Sequence, residues 1–207
     1  MNTIITIGRQ YGSGGKEIGT KLAQYYNIPF YDKELLKVAA KESGICEEMF
    51  ENFDEKPTTS FLYSLVMDPY ALGYNATSFD MPLNQKVFLA SFDAIKKVAD
   101  EGPCIIVGRC GNYVLQDQLD DVIRIFVYAD TVTRVRRIMD VDKVDEAEAL
   151  RRMKRIDRTR TEYHRYFTGR NWMDMENYDL PINASRIDYD QMIQLIKDYL
   201  KLRGMID

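Results

Sequence analysis

The feature that most constrains this chain is a glycine-rich segment near its start, which reads GRQYGSGGKEIG from residue 8 to residue 19. The β-branched run from Ile4 to Ile7 precedes it, and apolar residues at helical spacing, such as Ile18 and Leu22, follow it. The order is strand, glycine loop and helix, which is the first unit of a parallel α/β sheet. In such a loop successive backbone N–H groups point at one anion, the helix N-terminus adds partial positive charge, and Lys16 adds a full charge. The segment therefore predicts a phosphate-binding site.

The loop departs from the strict phosphate-loop pattern G-x-x-x-x-G-K-[ST]. Gln10 stands where the first glycine belongs, and Glu17 stands where the hydroxyl residue belongs. A dinucleotide-binding G-x-G-x-x-G is excluded as well, because Glu17 occupies the place of its third glycine. The alternative is a glycine turn with an exposed lysine and no ligand. Phosphate binding is favoured over it because strand, loop and helix follow in the required order.

The rest of the chain supplies four further strand candidates, separated by helical patterns. They cover residues 28–31, 104–107, 122–127 and 179–182. Five short strands with intervening helices predict a doubly wound parallel sheet with right-handed crossovers, in a single domain of 207 residues. Residues 43 to 84 have weak periodicity and many aromatics, which predicts a helical insert.

Composition excludes several classes of protein. A formal net charge of −4 argues against a general nucleic-acid binder, which needs a basic surface. Cys46, Cys104 and Cys110 have no paired spacing, so they are expected to be reduced thiols and not a disulfide or zinc site. The apolar runs are too short to span a membrane, and the chain begins directly with a strand, so we expect a cytoplasmic protein without a signal peptide.

A basic helical segment follows the fourth strand. Residues 134 to 170 contain 12 Lys and Arg against 7 Asp and Glu, although the whole chain is acidic. Helical spacing puts Arg151, Arg155 and Arg158 on one face and Asp157, Arg160 and His164 on another. Phosphoryl transfer needs cations that gather the charge of the transferred group, so this segment predicts an arginine-bearing lid over about residues 144–170. The alternative is a solvated helix with many ion pairs. A general-base role for His164 is not favoured.

Two residues at strand ends are candidates for binding the acceptor. Arg109 directly follows the third strand, and ligands of open α/β sheets bind at the carboxyl ends of strands. An arginine grips two phosphate oxygens with its planar fork. Asp32 ends the second strand, where it could contact the acceptor or a hydrated magnesium ion, cap the next helix, or do both.

Five segments together resemble the cytidylate kinase-like family of P-loop nucleoside-monophosphate kinases. They are ITIGRQYGSGGKEIG at 5–19, PFYDKELL at 29–36, GRCG at 108–111, DRTR at 157–160 and NYDLPINASR at 177–186. The resemblance covers most of the chain and covers residues 43–84 least well. It implies a P-loop kinase fold, ATP and Mg²⁺ as cofactors, and small nucleotides as substrates.

The resemblance also implies a role for individual residues. The donor-phosphate site comprises Gly12, Ser13, Gly14, Gly15, Lys16 and Glu17, and the catalytic lid site comprises Arg155, Asp157 and Arg160 together with Lys16. Asp32 and Arg109 are assigned to the acceptor, and Asn183 and Ser185 to the donor base. No residue is assigned as a metal ligand.

This chain departs from established cytidylate kinases at two positions. No hydroxyl residue follows Lys16, and Cys110 stands where these kinases have Asp. We expect transfer of the γ-phosphoryl group of ATP to CMP, dCMP or a similar small acceptor. The alternatives are a non-catalytic nucleotide-binding regulator and a kinase with a non-nucleotide acceptor. The oligomeric state stays open, although the aromatic residues Phe61, Tyr63, Tyr70, Tyr74 and Phe79 of the insert could serve an assembly.

Overall fold

A computed structural model describes residues 3–45, 83–117 and 121–206 of the chain. Its five strands are β1 (Ile4–Arg9), β2 (Phe30–Tyr31), β3 (Ile105–Val107), β4 (Val122–Tyr128) and β5 (Leu180–Asn183). They form one sheet in the order β2-β3-β1-β4-β5, and every pairing is parallel. The predicted five-stranded parallel α/β fold is confirmed.

Helices connect the strands and cover both faces of the sheet. In the described residues they are α1 (Gly15–Tyr26), α2 (Glu34–Ser43), α3 (Leu83–Asp100), α4 (Gly111–Val114), α5 (Thr131–Asp142), α6 (Glu146–Thr168) and α7 (Tyr189–Leu202), with a 3₁₀ turn at Met175–Asn177. Most of the predicted insert, including Cys46 and the five aromatics named above, lies outside the described residues.

The core follows from the alternation of side chains along each strand. Ile5 and Ile7 of β1 point to one face, where they pack with Leu22 of α1 and Ile196 of α7. Ile4 points to the opposite face. That face is covered by α2, α3 and α4, with Leu35, Ile95 and Val114 among the buried residues. Because both faces are covered, the strands are continuous apolar runs, as buried parallel strands require.

Cys104 and Cys110 are buried free thiols, as expected. In the described part of the chain, no helix combines the length and hydropathy needed to cross a bilayer.

Candidate active site

The glycine loop lies between the end of β1 and the first turn of α1. Gly12 and Gly14 have φ values of 76° and 91°, which favour glycine over any residue with a side chain. Gly15 packs so closely that an added Cβ would lie 2.5 Å from the Cβ of Arg9. Ser13 is buried and donates its hydroxyl to the carbonyl oxygen of Gln10 at 2.8 Å, so its hydroxyl fixes the loop.

The N-terminus of α1 differs from those of α5, α6 and α7. Each of those three helices begins at an aspartate, Asp130, Asp145 or Asp188, whose carboxylate accepts a backbone N–H of the first turn. Helix α1 begins after Gly14 and has no side-chain cap. Its first N–H groups and the positive end of its dipole are therefore not occupied by a side-chain carboxylate, and a helix N-terminus of this kind can bind an anion.

A cleft with a volume of about 360 Å³ opens in front of the loop. The loop glycines Gly12, Gly14 and Gly15 line it together with charged side chains. The cations of the lining are Arg9, Lys16, Lys33, Arg137 and Arg160, and the acids are Glu17, Asp32 and Asp142. The excess of cations suits a polyanionic ligand.

Asp32 is the buried centre of a ring of cations at one end of this cleft. Its carboxylate lies 2.8 Å from Nζ of Lys16, 3.5 Å from the guanidinium of Arg109 and 3.9 Å from that of Arg9. Burial alone would raise the pKa of Asp32, but the hydrogen bond from Lys16 and the charges of Arg9 and Arg109 together hold it below its ordinary value. Three cations and one carboxylate leave this cluster with two positive charges.

The expectation that Asp32 could cap the second helix is wrong. Helix α2 has Lys33 as its N-cap residue, and no side chain caps it. The carboxylate of Asp32 turns away from the helix because three cations attract it more strongly than one N–H dipole could. Of the roles that sequence left open, contact with a ligand in the cleft remains.

Arg109 reaches this cluster because the chain makes a sharp turn after β3. Arg109 and Cys110 have φ values of 51° and 58°, in the left-handed region. The N–H of Gly108 donates to the carbonyl oxygen of Ile7 at 3.0 Å, which ties the turn to β1. The side chain of Arg109 is only 2% exposed. Arg109 follows the third strand and lines a small cavity beside the cleft, not the cleft itself, and its predicted role in acceptor binding stays a prediction.

Helix α6 occupies most of the segment predicted as a lid. Arg160 lines the cleft and donates to the carbonyl oxygen of Arg9 at 3.0 Å. Asp157 accepts the N–H of Tyr11 at 2.8 Å. The face that carries Asp157 and Arg160 therefore lies over the glycine loop. Motion of this helix stays a prediction.

The opposite face of α6 is directed to solvent. Arg151 and Arg158 are exposed and pair with Glu148 and Glu162 of the same helix. Arg155 is exposed and does not line the cleft. On this face the arrangement is the solvated, ion-paired helix that sequence allowed as the alternative. The structure thus brings Asp157 and Arg160 to the loop and leaves Arg155 outside the site.

The C-terminal half of α6 is fixed against α3 by aromatic rings. Phe167 stacks on Phe88 with ring centroids 3.8 Å apart, and Tyr163 packs against both. Aromatic contacts of this kind stabilise a structure by more than the burial of the ring surfaces alone. This end of the helix is consequently anchored on the body of the domain.

His164 is buried behind the cleft. Its Nδ1 lies 3.2 Å from the carbonyl oxygen of Arg170 and 3.0 Å from the hydroxyl of Thr168. Burial lowers the pKa of His164, so the ring is neutral at neutral pH. It lines a cavity of only about 20 Å³, which has room for a water molecule and not for a substrate. A general-base role is not supported by this position.

Asn183 is the last residue of β5, one residue beyond the predicted strand end, and Ser185 follows the strand; the polar groups of both are used locally. Oδ1 of Asn183 accepts the N–H and the hydroxyl of Ser185, at 3.1 and 2.6 Å. The hydroxyl oxygen of Ser185 accepts the N–H of Asp130 at 2.8 Å. Neither residue lines the cleft. Contact with a donor base stays a prediction.

Sequence reasoning missed several residues of the site. Arg9, Arg137 and Tyr189 all line the cleft, and the guanidinium of Arg137 lies 5.4 Å from the centre of the Tyr189 ring. The sequence could have identified Arg9 as a site residue, because it lies inside the glycine segment at the carboxyl end of β1. Arg137 and Tyr189 had no such signal, since only the tertiary fold brings the middle of α5 and the start of α7 together.

The parallel sheet, the glycine loop after β1 and the cation-lined cleft have the arrangement of the P-loop kinase fold. A solved shikimate kinase from Bacteroides thetaiotaomicron shares this fold, with a TM-score of 0.51 and 15% identity over 97% of this chain and 99% of that one. That likeness concerns the fold alone. Beyond the fold, the chain belongs to the cytidylate kinase-like family, which matches residues 4–186.

Two further relatives extend over nearly the whole chain. A cytidylate kinase of Methanopyrus kandleri is 22% identical over 205 residues, which cover 95% of this chain and 92% of that protein. An uncharacterized protein from Eubacterium ventriosum is similar in structure, with a TM-score of 0.71, 30% identity, and coverage of 97% of this chain and 99% of that one. Family and fold together support a nucleotide kinase.

Proposed function

We propose that this protein transfers the γ-phosphoryl group of ATP to a nucleoside monophosphate, CMP or dCMP. The observation that carries this proposal is the ring of Arg9, Lys16 and Arg109 around Asp32. Its two net positive charges complement the two negative charges of a phosphate monoester. A neutral acceptor would leave this charge uncompensated in a partly buried site, which is unfavourable.

The residues of the cleft divide the work between donor and acceptor. The N–H groups of Gly12 to Lys16 would hold the donor phosphates, with the positive end of α1 behind them. Arg109, whose side chain is only 2% exposed and does not line the cleft, would have to be uncovered before its fork could grip the acceptor phosphate. Lys16 and Arg160, which both line the cleft, would gather the charge that spreads over the transferred group. An ionised acceptor phosphate needs no general base, which fits the remote position of His164.

Magnesium would accompany ATP, and Glu17 is the residue that fits it best. Glu17 is exposed in the cleft on the first turn of α1, whereas the oxygens of Asp32 are engaged by cations. Among the residues described, no cluster of three or more His, Cys, Asp or Glu could hold a metal by itself. Such sparse protein ligation is typical of Mg²⁺ that binds through substrate phosphates, where the ion neutralises developing charge.

A kinase with a hydroxyl acceptor is the second candidate, because Asp32 lines the cleft and could accept a hydroxyl proton. Its lowered pKa makes it a weak base, which favours the phosphate acceptor. A non-catalytic regulator is motivated by Glu17 in the place of the hydroxyl residue. Small nucleotides as the partners and a cytoplasmic location remain part of this proposal.

An ADP-release assay with ATP and magnesium tests the proposal against CMP, dCMP, UMP and AMP, with a control that lacks an acceptor. ADP formation only with CMP or dCMP would support it and would show that Cys110 is tolerated. ATP binding without turnover of any of the four would favour the regulator or a different acceptor. A subsequent screen of small hydroxyl compounds separates those two.

A further inference from the structure

The backbone of Tyr11, in the glycine loop, is held on both its polar groups by one pair of side chains. Its N–H donates to Oδ1 of Asp157 at 2.8 Å. Its carbonyl oxygen accepts Nε of Arg134 at 2.7 Å. Arg134 and Asp157 also pair with each other, which closes a ring of contacts around one residue. We call Arg134 and Asp157 the Tyr11 clasp.

The clasp lies behind the loop and not in the path of a nucleotide. The side chains of Arg134 and Asp157 are only 7% and 13% exposed, and neither residue lines the cleft. The loop also packs closely against α5, the helix that carries Arg134. A Cβ on Gly12 would lie 2.8 Å from the carbonyl oxygen of Arg134. Phosphate groups in the cleft therefore meet the opposite side of the loop.

Holding Tyr11 fixes the orientation of its two peptide planes. A peptide N–H and its C=O point in opposite directions, so the tilt of each plane decides which group an anion in the cleft would meet. Two neighbouring carbonyl oxygens are held in the same way, because Arg160 donates to that of Arg9 and Arg137 to that of Ser13, at 3.0 and 2.6 Å. Alternate carbonyl oxygens of the loop are thus occupied by arginines.

We propose that Arg134 and Asp157 are positioning residues that keep the glycine loop in its anion-binding form. Asp157 then acts through the loop backbone instead of contacting the reacting phosphates, and α6 must lie on the loop for the donor site to be complete. The effect on ATP rests on the proposed function, whereas the effect on the loop does not.

Amide hydrogen exchange of peptides that cover residues 8–17 tests the clasp directly. The variants are Arg134→Lys, which loses the two-pronged geometry, and Asp157→Asn, which loses the charge. Matched controls make the same changes at exposed positions of α5, Arg136→Lys and Asp140→Asn. We expect exchange in the loop to become about tenfold faster in both variants and to stay unchanged in the controls, since each variant weakens a charge-assisted hydrogen bond.

Isothermal titration with ATP and steady-state kinetics on the same proteins test the consequence. The Kd and KM for ATP should rise about tenfold in both variants while KM for the acceptor stays unchanged, a split that a general loss of stability would not produce. Unchanged loop exchange would overturn the inference, and so would faster exchange with native affinity for ATP. If the native chain binds no ATP, the proposed function fails, and loop exchange alone still decides for or against the clasp.

Discussion

Nζ of Lys16 lies 2.8 Å from Oδ2 of Asp32 and so joins the glycine loop to the carboxyl end of β2. The two side chains differ in their surroundings, because that of Lys16 is 58% exposed and that of Asp32 is 9% exposed. The lysine therefore extends through the open cleft to a buried carboxylate. A phosphate that enters the cleft can attract Lys16 without uncovering Asp32, since Arg9 and Arg109 remain beside the carboxylate. In this arrangement Asp32 orders the cations before the substrates arrive.

Replacing Lys16 by Ala should lower kcat/KM for ATP about 100-fold to 1,000-fold, because it removes a cation from the transferred phosphoryl group. Steady-state ADP release measures the effect. The matched control is Lys21→Ala on the same helix. Lys21 is exposed, and its one salt bridge among the described residues is to the exposed Asp190, at 3.7 Å. Equal rates for the Lys16 and Lys21 variants would exclude Lys16 from the reaction centre.

Replacing Asp32 by Asn should destabilise the protein by about 1–3 kcal/mol at neutral pH, because three cations then lose their buried counter-ion. Urea unfolding measures this change. Added inorganic phosphate should restore much of the loss, since it supplies the missing negative charge to Arg9, Lys16 and Arg109. A variant as stable as the native chain, and insensitive to phosphate, would contradict the cation ring.

The Asp32→Asn variant also tests how the free energy of unfolding depends on pH. The folded state holds the pKa of Asp32 below its ordinary value, so its contribution to stability is present above that value and is lost as the pH falls through the lowered one. The difference in unfolding free energy between native and Asp32→Asn proteins should therefore shrink as the pH falls below about 4. The ion pair of Asp179 with Arg124, at 2.8 Å, also makes stability depend on pH. Because both proteins contain this pair, its effect cancels in the difference.

Local pattern was sufficient for the sheet and for the glycine loop. The five strands are short apolar runs, and period and turn residues identify them without tertiary information. The proximity of Arg109 to Asp32 also follows from local pattern, because the carboxyl ends of neighbouring parallel strands lie at the same edge of the sheet. The role of Asp32 could not be predicted, because helix capping and an ion pair with Lys16 produce the same sequence signal. Only the positions of Arg9 and Arg109 in space decide between them.

The basic helix illustrates a second limit of sequence reasoning. Spacing correctly separated the face with Asp157 and Arg160 from the face with Arg151, Arg155 and Arg158. It could not tell which face meets the loop, because both carry arginines and acids. The buried Tyr163 and the half-buried Phe167 decide the orientation of α6, and they contact Phe88, a residue distant in sequence.

Replacing Arg160 by Ala should lower kcat about 100-fold, since Arg160 is the arginine of α6 that lines the cleft. Arg155→Ala, at an exposed position one face away, should retain kcat within about twofold, as surface substitutions usually do. Both values come from ADP release at saturating ATP and acceptor. Equal losses in the two variants would mean that α6 rotates when substrates bind, as a moving lid would.

The contact between Gly12 and α5 can be tested by adding one methyl group. Gly12 and Gly169 have nearly equal φ values of 76° and 70°, so alanine is strained in both. A Cβ on Gly12 would lie 2.8 Å from the carbonyl oxygen of Arg134, whereas a Cβ on Gly169 meets nothing within 4 Å. Gly169→Ala should cost about 1 kcal/mol of unfolding free energy from the backbone conformation alone, and Gly12→Ala at least about 1 kcal/mol more from overpacking. Urea unfolding of both proteins measures the difference. Equal costs would mean that the loop can move away from α5, and ATP titration of Gly12→Ala would then show whether the displaced loop still binds phosphate.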